Sequence, residues 1–330
     1  MISLSCDHPD LEEFIDIKTD LSKVNKANIS VRVSDKFMND VALNNNHRLY
    51  FKRKESNEEI IKDINAKNIF MKLVENNWNY AEPGCLFWDT ITGWNLLSNN
   101  PDFEYAGVNP CAEEPLPAGG SCLLGSLNLS EFVKNGQFNF EDFIEAINVA
   151  VAALNDVLDE GMNLHPLKEQ KSSVKNWRQI GLGVMGIADM LIKMGIKYGS
   201  KESIDICSKI AEHLIMTATL RSCSLAMHDG CYPMCKSDLI VETPFFKHYA
   251  ENTVLENLVK EHGLRNSQLL TIAPTGTLST MLGISGGIEP IFANYYTRKT
   301  ESLHGKDVYY KVYTPIVEKY MREHNIEDDS

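Results

Sequence analysis

Apolar residues recur along this chain at two periods, one helical and one alternating, and the two change places repeatedly. Leu11, Phe14, Ile15 and Ile17, with acids ahead of them, predict a short amphipathic helix over 10–17. The stretch 28–33 alternates and is β-branched, which predicts a strand. A helix is expected over 35–43. From 58 to 76, Ile60, Ile61, Ile64, Ile69, Phe70 and Leu73 stand mostly at helical spacing and predict one further helix. Pro83-Gly84 breaks that pattern, and Cys85-Leu86-Phe87-Trp88 follows as a short apolar strand or loop.

Residues 97–122 are rich in Asn, Pro and Gly and have little periodicity. An ordered stretch of this kind inside a compact domain is usually functional. A strand over 123–129 ends it. The clearest helix covers 140–158, with an apolar stripe of Phe143, Ile144, Ile147, Val151, Leu154 and Leu158. Asn139 is placed to cap it, Asp142 to return the bond as in a capping box, and Gly161 to follow its end. Helical patterns follow at 187–194, 204–228 and 314–324, and a buried strand at 269–273 leads into Pro274-Thr275-Gly276-Thr277. The tail 327–330 is expected to fray. There is no internal repeat and no low-complexity linker, and strands alternating with helices predict an α/β fold.

Composition narrows the function classes. A chain of 330 residues with 43% hydrophobic positions can bury a large core, as one big domain or two modest ones. The net charge of −13, without a basic stripe, argues against a duplex-binding protein. No apolar run reaches the ~18 residues that would span a bilayer. The start lacks a signal peptide's basic region and apolar block, so a cytoplasmic location is expected. Eight cysteines are too sparse for a disulfide-stapled secreted domain, so most are expected to be free thiols.

The most informative stretch is Asn109-Pro110-Cys111-Ala112-Glu113, a thiol with an amide two residues before it and a carboxylate two residues after it. An extended loop aims positions i−2, i and i+2 to one side. A neighbouring carboxylate disfavours the thiolate, and neither His nor Lys lies in the stretch to favour it. The arrangement suits a thiol that transfers hydrogen, with Glu113 moving a proton on a substrate hydroxyl. A buried core cysteine is the bland alternative. Cys122 follows at a spacing that is neither a redox nor a zinc CxxC, and a core role is equally open to it.

Pro274-Thr275-Gly276-Thr277-Leu278-Ser279 follows an apolar strand and opens a helix. Free N–H groups there, with the hydroxyls of Thr275, Thr277 and Ser279, form an anion cradle, although an ordinary capped helix start has the same appearance. Gly181-Leu182-Gly183-Val184-Met185-Gly186 has the glycine spacing of a dinucleotide fingerprint. No acid stands on a second strand about 20 residues on, so close strand–helix packing is the preferred reading. Cys231-Tyr232-Pro233-Met234-Cys235 has no second ligand pair for zinc and reads as incidental. No metal motif is identified.

Taken together these stretches resemble the catalytic subunit of ribonucleotide reductase. The resemblance rests on Asp7-His8-Pro9-Asp10-Leu11-Glu12-Glu13-Phe14-Ile15, the Asn109 to Glu113 stretch, Ser121-Cys122-Leu123-Leu124-Gly125-Ser126-Leu127-Asn128-Leu129, the Gly181 to Gly186 stretch, Ala273 to Thr277, and Gly286-Gly287-Ile288-Glu289-Pro290-Ile291-Phe292-Ala293, all in the family's order. It implies a ten-stranded α/β barrel with a radical cysteine on an internal loop. It implies that Cys111 carries the thiyl radical that abstracts the ribose 3′ hydrogen, that Glu113 takes the 3′-hydroxyl proton, and that Asn109 hydrogen-bonds the substrate. Pro110 and Ala112 then line the substrate. Cys122 matches one half of the redox pair, and Pro274, Thr275, Gly276, Thr277, Leu278 and Ser279 match the loop that holds the substrate phosphates. The implied reductant is thioredoxin-like or another dithiol.

The short, proline-rich gap between Cys111 and Cys122 is most similar to the adenosylcobalamin-dependent class. The alternative is a class whose radical arrives from a separate metal-bearing subunit through a tyrosine pair; Tyr295-Tyr296 and Tyr309-Tyr310 do not sit in that motif. The family's first redox cysteine lies upstream, and Cys6 does not match it. The specificity loop and nucleotide-binding helices are also expected upstream, and the C-terminal thiol pair is not matched by Cys231 and Cys235. Residues 1–330 are therefore expected to be an incomplete barrel domain, from a split gene or a truncated chain, with the N-terminal part supplied by another chain. A catalytically silent nucleotide-binding or assembly fragment is the alternative function, and a thiol-dependent acyl-transfer enzyme, which lacks a base beside its thiol, fares worst.

Overall fold

The computed structural model describes residues 1–20, 22, 24, 26–300 and 308–327. The chain falls into two compact units, Met1–Ser121 with Lys236–Asn252, and Cys122–Cys235 with Thr253 onward. The expected alternation of strands and helices is present in both.

The first unit opens with β1 (Ile2–Ser5), α1 (Leu11–Asp16), β2 (Ile29–Val33), α2 (Asp35–Leu43), β3 (Asn46–Lys52), β4 (Glu59–Asn65), α3 (Ala66–Tyr80), β5 (Gly84–Phe87) and α4 (Trp88–Gly93), and then the short strands β6 (Gly107–Val108) and β7 (Pro115–Leu116). β1, β2 and β5 form a parallel sheet with β2 in the middle. Parallel strands need long crossovers, which the helices supply, and a central strand is then covered on both sides. Accordingly Ile29, Val31 and Val33 are all buried. Val31 and Val33 pack in a core with Leu11, Ile15, Phe37, Leu49, Ile69 and Leu73.

α2 starts where Ser34 Oγ accepts the Phe37 N–H at 3.1 Å, and stops at Asn44 in the left-handed region. The single helix expected over 58–76 is wrong in its first half. Residues 59–65 pair antiparallel with 46–52, a strand the pattern did not show, and the helix begins only after Asn65 caps it through the Asn68 N–H. Ile60, Ile61 and Ile64 are β-branched and suit a hairpin that is mostly exposed, so helical spacing there was coincidental.

The second unit begins with β8 (Leu124–Asn128), a 3-10 turn (Leu129–Phe132), β9 (Val133–Lys134), β10 (Gln137–Phe138), α5 (Phe140–Met162), α6 (Lys168–Trp177), β11 (Gly181–Met185), α7 (Ile187–Met194) and α8 (Lys201–Asp229). The chain returns to the first unit for α9 (Ser237–Val241) and α10 (Pro244–Ala250), then completes the second with α11 (Val254–His262), α12 (Gly276–Leu282), β12 (Tyr295–Thr300), β13 (Val308–Tyr313) and α13 (Pro315–Glu323). Asn139 caps α5 by accepting the N–H groups of Glu141 and Asp142. The capping box is only half formed, because the Asp142 carboxylate pairs with Lys134 instead. Gly161 lies inside the last turn of α5, which runs on to Met162.

β11 is buried along its whole length. It pairs in parallel with β8 on one side and bridges Leu270 on the other. A Cβ on Gly183 would stand 2.2 Å from the Thr271 carbonyl oxygen, and one on Gly181 2.6 Å from Thr271 Cγ2. The glycine run therefore serves close packing, but of β11 against the extended segment around Thr271 rather than against a helix; the strand expected over 269–273 is reduced to the single bridge at Leu270. Only Gly186, at φ 72°, makes the turn into α7.

Arg178, Asn155, Asn266 and Ser222 join α5, α6 and α8 to the segment ahead of residue 269 through a buried polar network. Asn155 and Asn266 donate to one another's side-chain oxygens at 3.0 Å, Ser222 donates to Asn266 at 3.0 Å, and Asn266 donates to the Arg178 carbonyl at 2.9 Å. Among the described residues no sheet closes into a barrel, and no helix is long and apolar enough to cross a membrane. Of the tail 327–330 that was expected to fray, residues 328–330 lie outside the described residues.

Candidate active site

The stretch singled out in the sequence is the tip of a small hairpin. β6 and β7 pair Gly107 with Leu116 and Val108 with Pro115, and the chain between them closes on itself. The Asn109 N–H donates to the Glu114 carbonyl at 3.1 Å, and the Ala112 N–H donates to the Asn109 carbonyl at 3.0 Å. The Asn109 side-chain oxygen accepts the Glu114 N–H at 3.0 Å. Ala112 takes a left-handed conformation at φ 69°, unusual for a residue with a Cβ, and this turns the chain directly after the thiol. From outside the hairpin, Asn28 Nδ2 donates to the Pro110 carbonyl at 2.8 Å.

Residues 109–113 therefore form a tight turn and not the extended loop that was expected, so alternation along a strand does not aim Asn109, Cys111 and Glu113 to one side; Cys111 is exposed at the apex. Asn109 spends its side-chain oxygen on the loop, which leaves its Nδ2 group as the donor for a ligand. Glu113 is half-buried, and the neighbouring Glu114 is fully buried. Glu114 was not singled out in the sequence. Burial, and then the charge of Glu114, push the Tyr105 hydroxyl above its ordinary range.

The second predicted element lies in the second unit. Thr275, at φ 53°, precedes α12, and its Oγ1 accepts the Gly287 N–H at 2.9 Å. The first-turn N–H groups of Gly276, Thr277 and Leu278 have no acceptor within the helix, and all three residues are exposed. Ser279 differs from expectation: it is 4% exposed and its hydroxyl donates to the Gly276 carbonyl at 3.3 Å. Any cradle is therefore built from backbone N–H groups and Thr277, with Ser279 bracing the turn.

Three of the motif stretches meet beneath this loop. The Ser285 carbonyl accepts the Gly186 N–H at 2.8 Å, its hydroxyl accepts the Ala188 N–H at 3.2 Å, and its own N–H donates to the buried Asp189 carboxylate at 2.7 Å. Gly286 then lies so close to the Pro274 carbonyl that a Cβ would stand 2.8 Å from it. Cys122 stands exposed just before β8. It belongs to the same unit as the 274–279 loop, whereas Cys111 belongs to the other.

The family described as "Ribonucleotide reductase, barrel domain" matches residues 1–330. The chain belongs to the ribonucleotide reductase barrel-domain family. It is 35% identical over 322 residues to the vitamin B12-dependent ribonucleoside-diphosphate reductase of Thermoplasma acidophilum, covering 97% of this chain and 38% of that protein. It is 31% identical over 305 residues to the protein of the same description from Mycobacterium tuberculosis, covering 92% of this chain and 40% of the relative. A ribonucleoside-diphosphate reductase subunit alpha of Chlamydia pneumoniae is 29% identical over 282 residues, 77% of this chain and 26% of that one. The chain thus spans about two fifths of the length of the B12-dependent relatives.

In this member of the barrel-domain family none of the eight cysteines is joined in a disulfide. Burial pushes the Cys6 and Cys235 thiols each up to about 11, and raises Cys85, Cys207 and Cys223 as well. Of the features missed from sequence, Asn28 and Ser285 act through contacts remote along the chain, whereas Glu114 acts on Asn109 and Tyr105 close by. No local spacing signals the remote two.

Proposed function

We propose that this chain is the part of a ribonucleotide reductase that carries the radical cysteine, one redox thiol and the phosphate loop, within a ten-stranded barrel completed by the segments its longer relatives possess. The observation that carries the reading is the closed hairpin tip, which exposes Cys111 at its apex with Asn109 two residues before it and Glu113 two residues after it. In the reaction a thiyl radical on Cys111 takes the ribose 3′ hydrogen as an atom, and Glu113 takes the 3′-hydroxyl proton. The 2′ hydroxyl leaves as water, two thiols supply two electrons and become a disulfide, and Cys111 returns the hydrogen to C3′. Cys122 is one of the two thiols, and a thioredoxin-like or other dithiol restores the pair. The Asn109 Nδ2 group donates to the sugar, with Pro110 and Ala112 shaping the contact. The backbone from Pro274 to Leu278 takes the phosphates at a helix start.

The B12-dependent relatives point to adenosylcobalamin as the radical source. The exposed apex position of Cys111 fits a bulky cofactor, since the thiol can be approached from outside the hairpin. When bound, this cofactor supplies radical chemistry. The chain's own part is to hold the thiol at a fixed point and to keep Glu113 close by for the proton.

A second reading, an assembly or nucleotide-binding fragment without turnover of its own, is favoured by the partial coverage of the relatives and by the placement of the two loops on different units. The test is deoxyribonucleotide formation with cobalamin cofactor and dithiol, by the 330-residue chain combined with the remaining segments of a B12-dependent relative. Turnover that is lost in Cys111→Ser while ribonucleotide binding persists supports catalysis. Binding without turnover in the combined wild type favours the fragment reading. Robust turnover by the chain alone contradicts the requirement for completion.

A further inference from the structure

The His47 ring, 1% exposed, is held between two carboxylates in the first unit. Its Nδ1 lies 2.8 Å from Asp40 Oδ2 and its Nε2 lies 2.8 Å from Asp7 Oδ1. A neutral imidazole has one N–H and can donate to only one of them. At the other contact two lone pairs would face each other unless a proton or a metal ion lies between them. Lys36 also pairs with Asp40 at 2.8 Å, and among the described residues no lysine pairs with Asp7.

On that side stands a thiol. Cys6 Sγ is 3.8 Å from Asp7 Oδ1, and one ligand atom each from Cys6, Asp7 and His47 lie within 4.8 Å of one another. Tetrahedral zinc, with Zn–S about 2.3 Å and Zn–N and Zn–O about 2.0 Å, sets its ligand edges at about 3.5 Å for S···O and about 3.3 Å for N···O. The two edges that meet at Asp7, 3.8 and 2.8 Å, need adjustments of only about half an ångström to match, and the third, from Cys6 to His47, lies within 4.8 Å. Asp40 on Nδ1 supplies the second carboxylate that metal-bound histidines ordinarily have, which fixes the ring and points Nε2 at the metal.

We propose that Cys6, Asp7 and His47 bind a zinc ion, with Asp40 orienting His47. Cys6 and Asp7 follow β1 and His47 lies on β3, so the ion clasps the β3–β4 hairpin to the edge of the parallel sheet. Binding releases the Cys6 thiol proton, and the Nε2 proton where the ring carries one, to solvent. The Asp7 side chain is 52% exposed, which leaves a path for the ion and a fourth, solvent-borne ligand.

The test is metal content of the purified full chain after incubation with Zn2+ and desalting, with Co2+ as a spectroscopic probe. One zinc per chain is expected, retained when Cys231 and Cys235 are both replaced by Ser, and lost in Cys6→Ser and in His47→Gln. Co2+ should give a sulfur charge-transfer band that disappears in Cys6→Ser, a near-isosteric change that keeps the test valid where His47→Gln fails to fold. Asp40→Asn should weaken zinc binding by about 10–100-fold. Zinc that persists in both Cys6→Ser and His47→Gln, no zinc on the wild type, or a His47 ring that keeps both N–H protons in stoichiometric zinc would overturn the proposal and leave the imidazolium as the cation.

Discussion

The side-chain oxygen of Asn109 accepts the backbone N–H of Glu114 at 3.0 Å, and this bond ties off the loop that carries Cys111. The same amide that the family resemblance assigns to substrate binding is therefore also a clasp for the thiol. Asn109→Ala removes the clasp at a cost of about 1 kcal/mol, confined to the loop. Amide exchange at Ala112 and Glu114 should quicken in that variant, and Asn109→Asp, which keeps an acceptor, should restore slow exchange. Unchanged exchange in Asn109→Ala would show that the loop is held by other means.

Among the described glycines Gly183 is approached most closely, with the Thr271 carbonyl oxygen 2.2 Å from where a Cβ would go. Gly183→Ala should cost about 3 kcal/mol or more, since backbone has to move apart. Gly161, in the last turn of α5 with nothing within 4 Å, is the control. Gly161→Ala should be neutral or stabilising by up to about 1 kcal/mol. Thermal unfolding of the two variants should shift in opposite directions or, for Gly161→Ala, not at all.

Asn266 is fully buried and holds partners on three other elements. Asn266→Ala leaves Asn155, Ser222 and the Arg178 carbonyl each short of a bond, at a cost of about 1–3 kcal/mol for each buried group left unsatisfied. A fall in stability by urea denaturation of less than about 1 kcal/mol would contradict the network's role.

Partial burial pushes Asp159 up, but the hydrogen bond and charge of Arg178, with Arg265 behind, outweigh it and hold the carboxyl below its usual range. A carboxyl depressed in the folded state contributes stability that is present above its unfolded pKa of about 3.9 and is lost as pH falls through the folded value. The acid limb of the stability curve should therefore be shallower in Asp159→Asn, with little change in slope near neutrality. Asp159 is half-exposed, so solvent screening keeps the contribution small. An acid limb identical to wild type would remove Asp159 from the account.

The strands and helices with a single clear period were legible in the sequence: α2, β2, β8, α5, α7 and α8 lie where the pattern put them. The β3–β4 hairpin was not, because its exposed face carries isoleucines and its period was broken by neighbours that belong to α3. The thiol loop and the 274–279 turn were legible as local motifs, since Pro, Gly and polar residues at fixed offsets determine a turn directly. Their supports were not. Asn28 reaches Pro110, and Ser285 reaches Gly186 and Asp189, across many intervening residues, and pairing of that range has no signature in one sequence. Cys6 and His47 show the same limit, as two unremarkable side chains joined only by the fold.

The central claim is that Cys111 draws a hydrogen atom from the ribose. The most direct measurement is deoxyribonucleotide formation from ribonucleotide deuterated at C3′, by the 330-residue chain combined with its completing segments, cobalamin cofactor and dithiol. The account predicts slower turnover than with the protiated substrate, and no turnover in Cys111→Ser. Equal rates for the two substrates together with an active Cys111→Ser variant would contradict it.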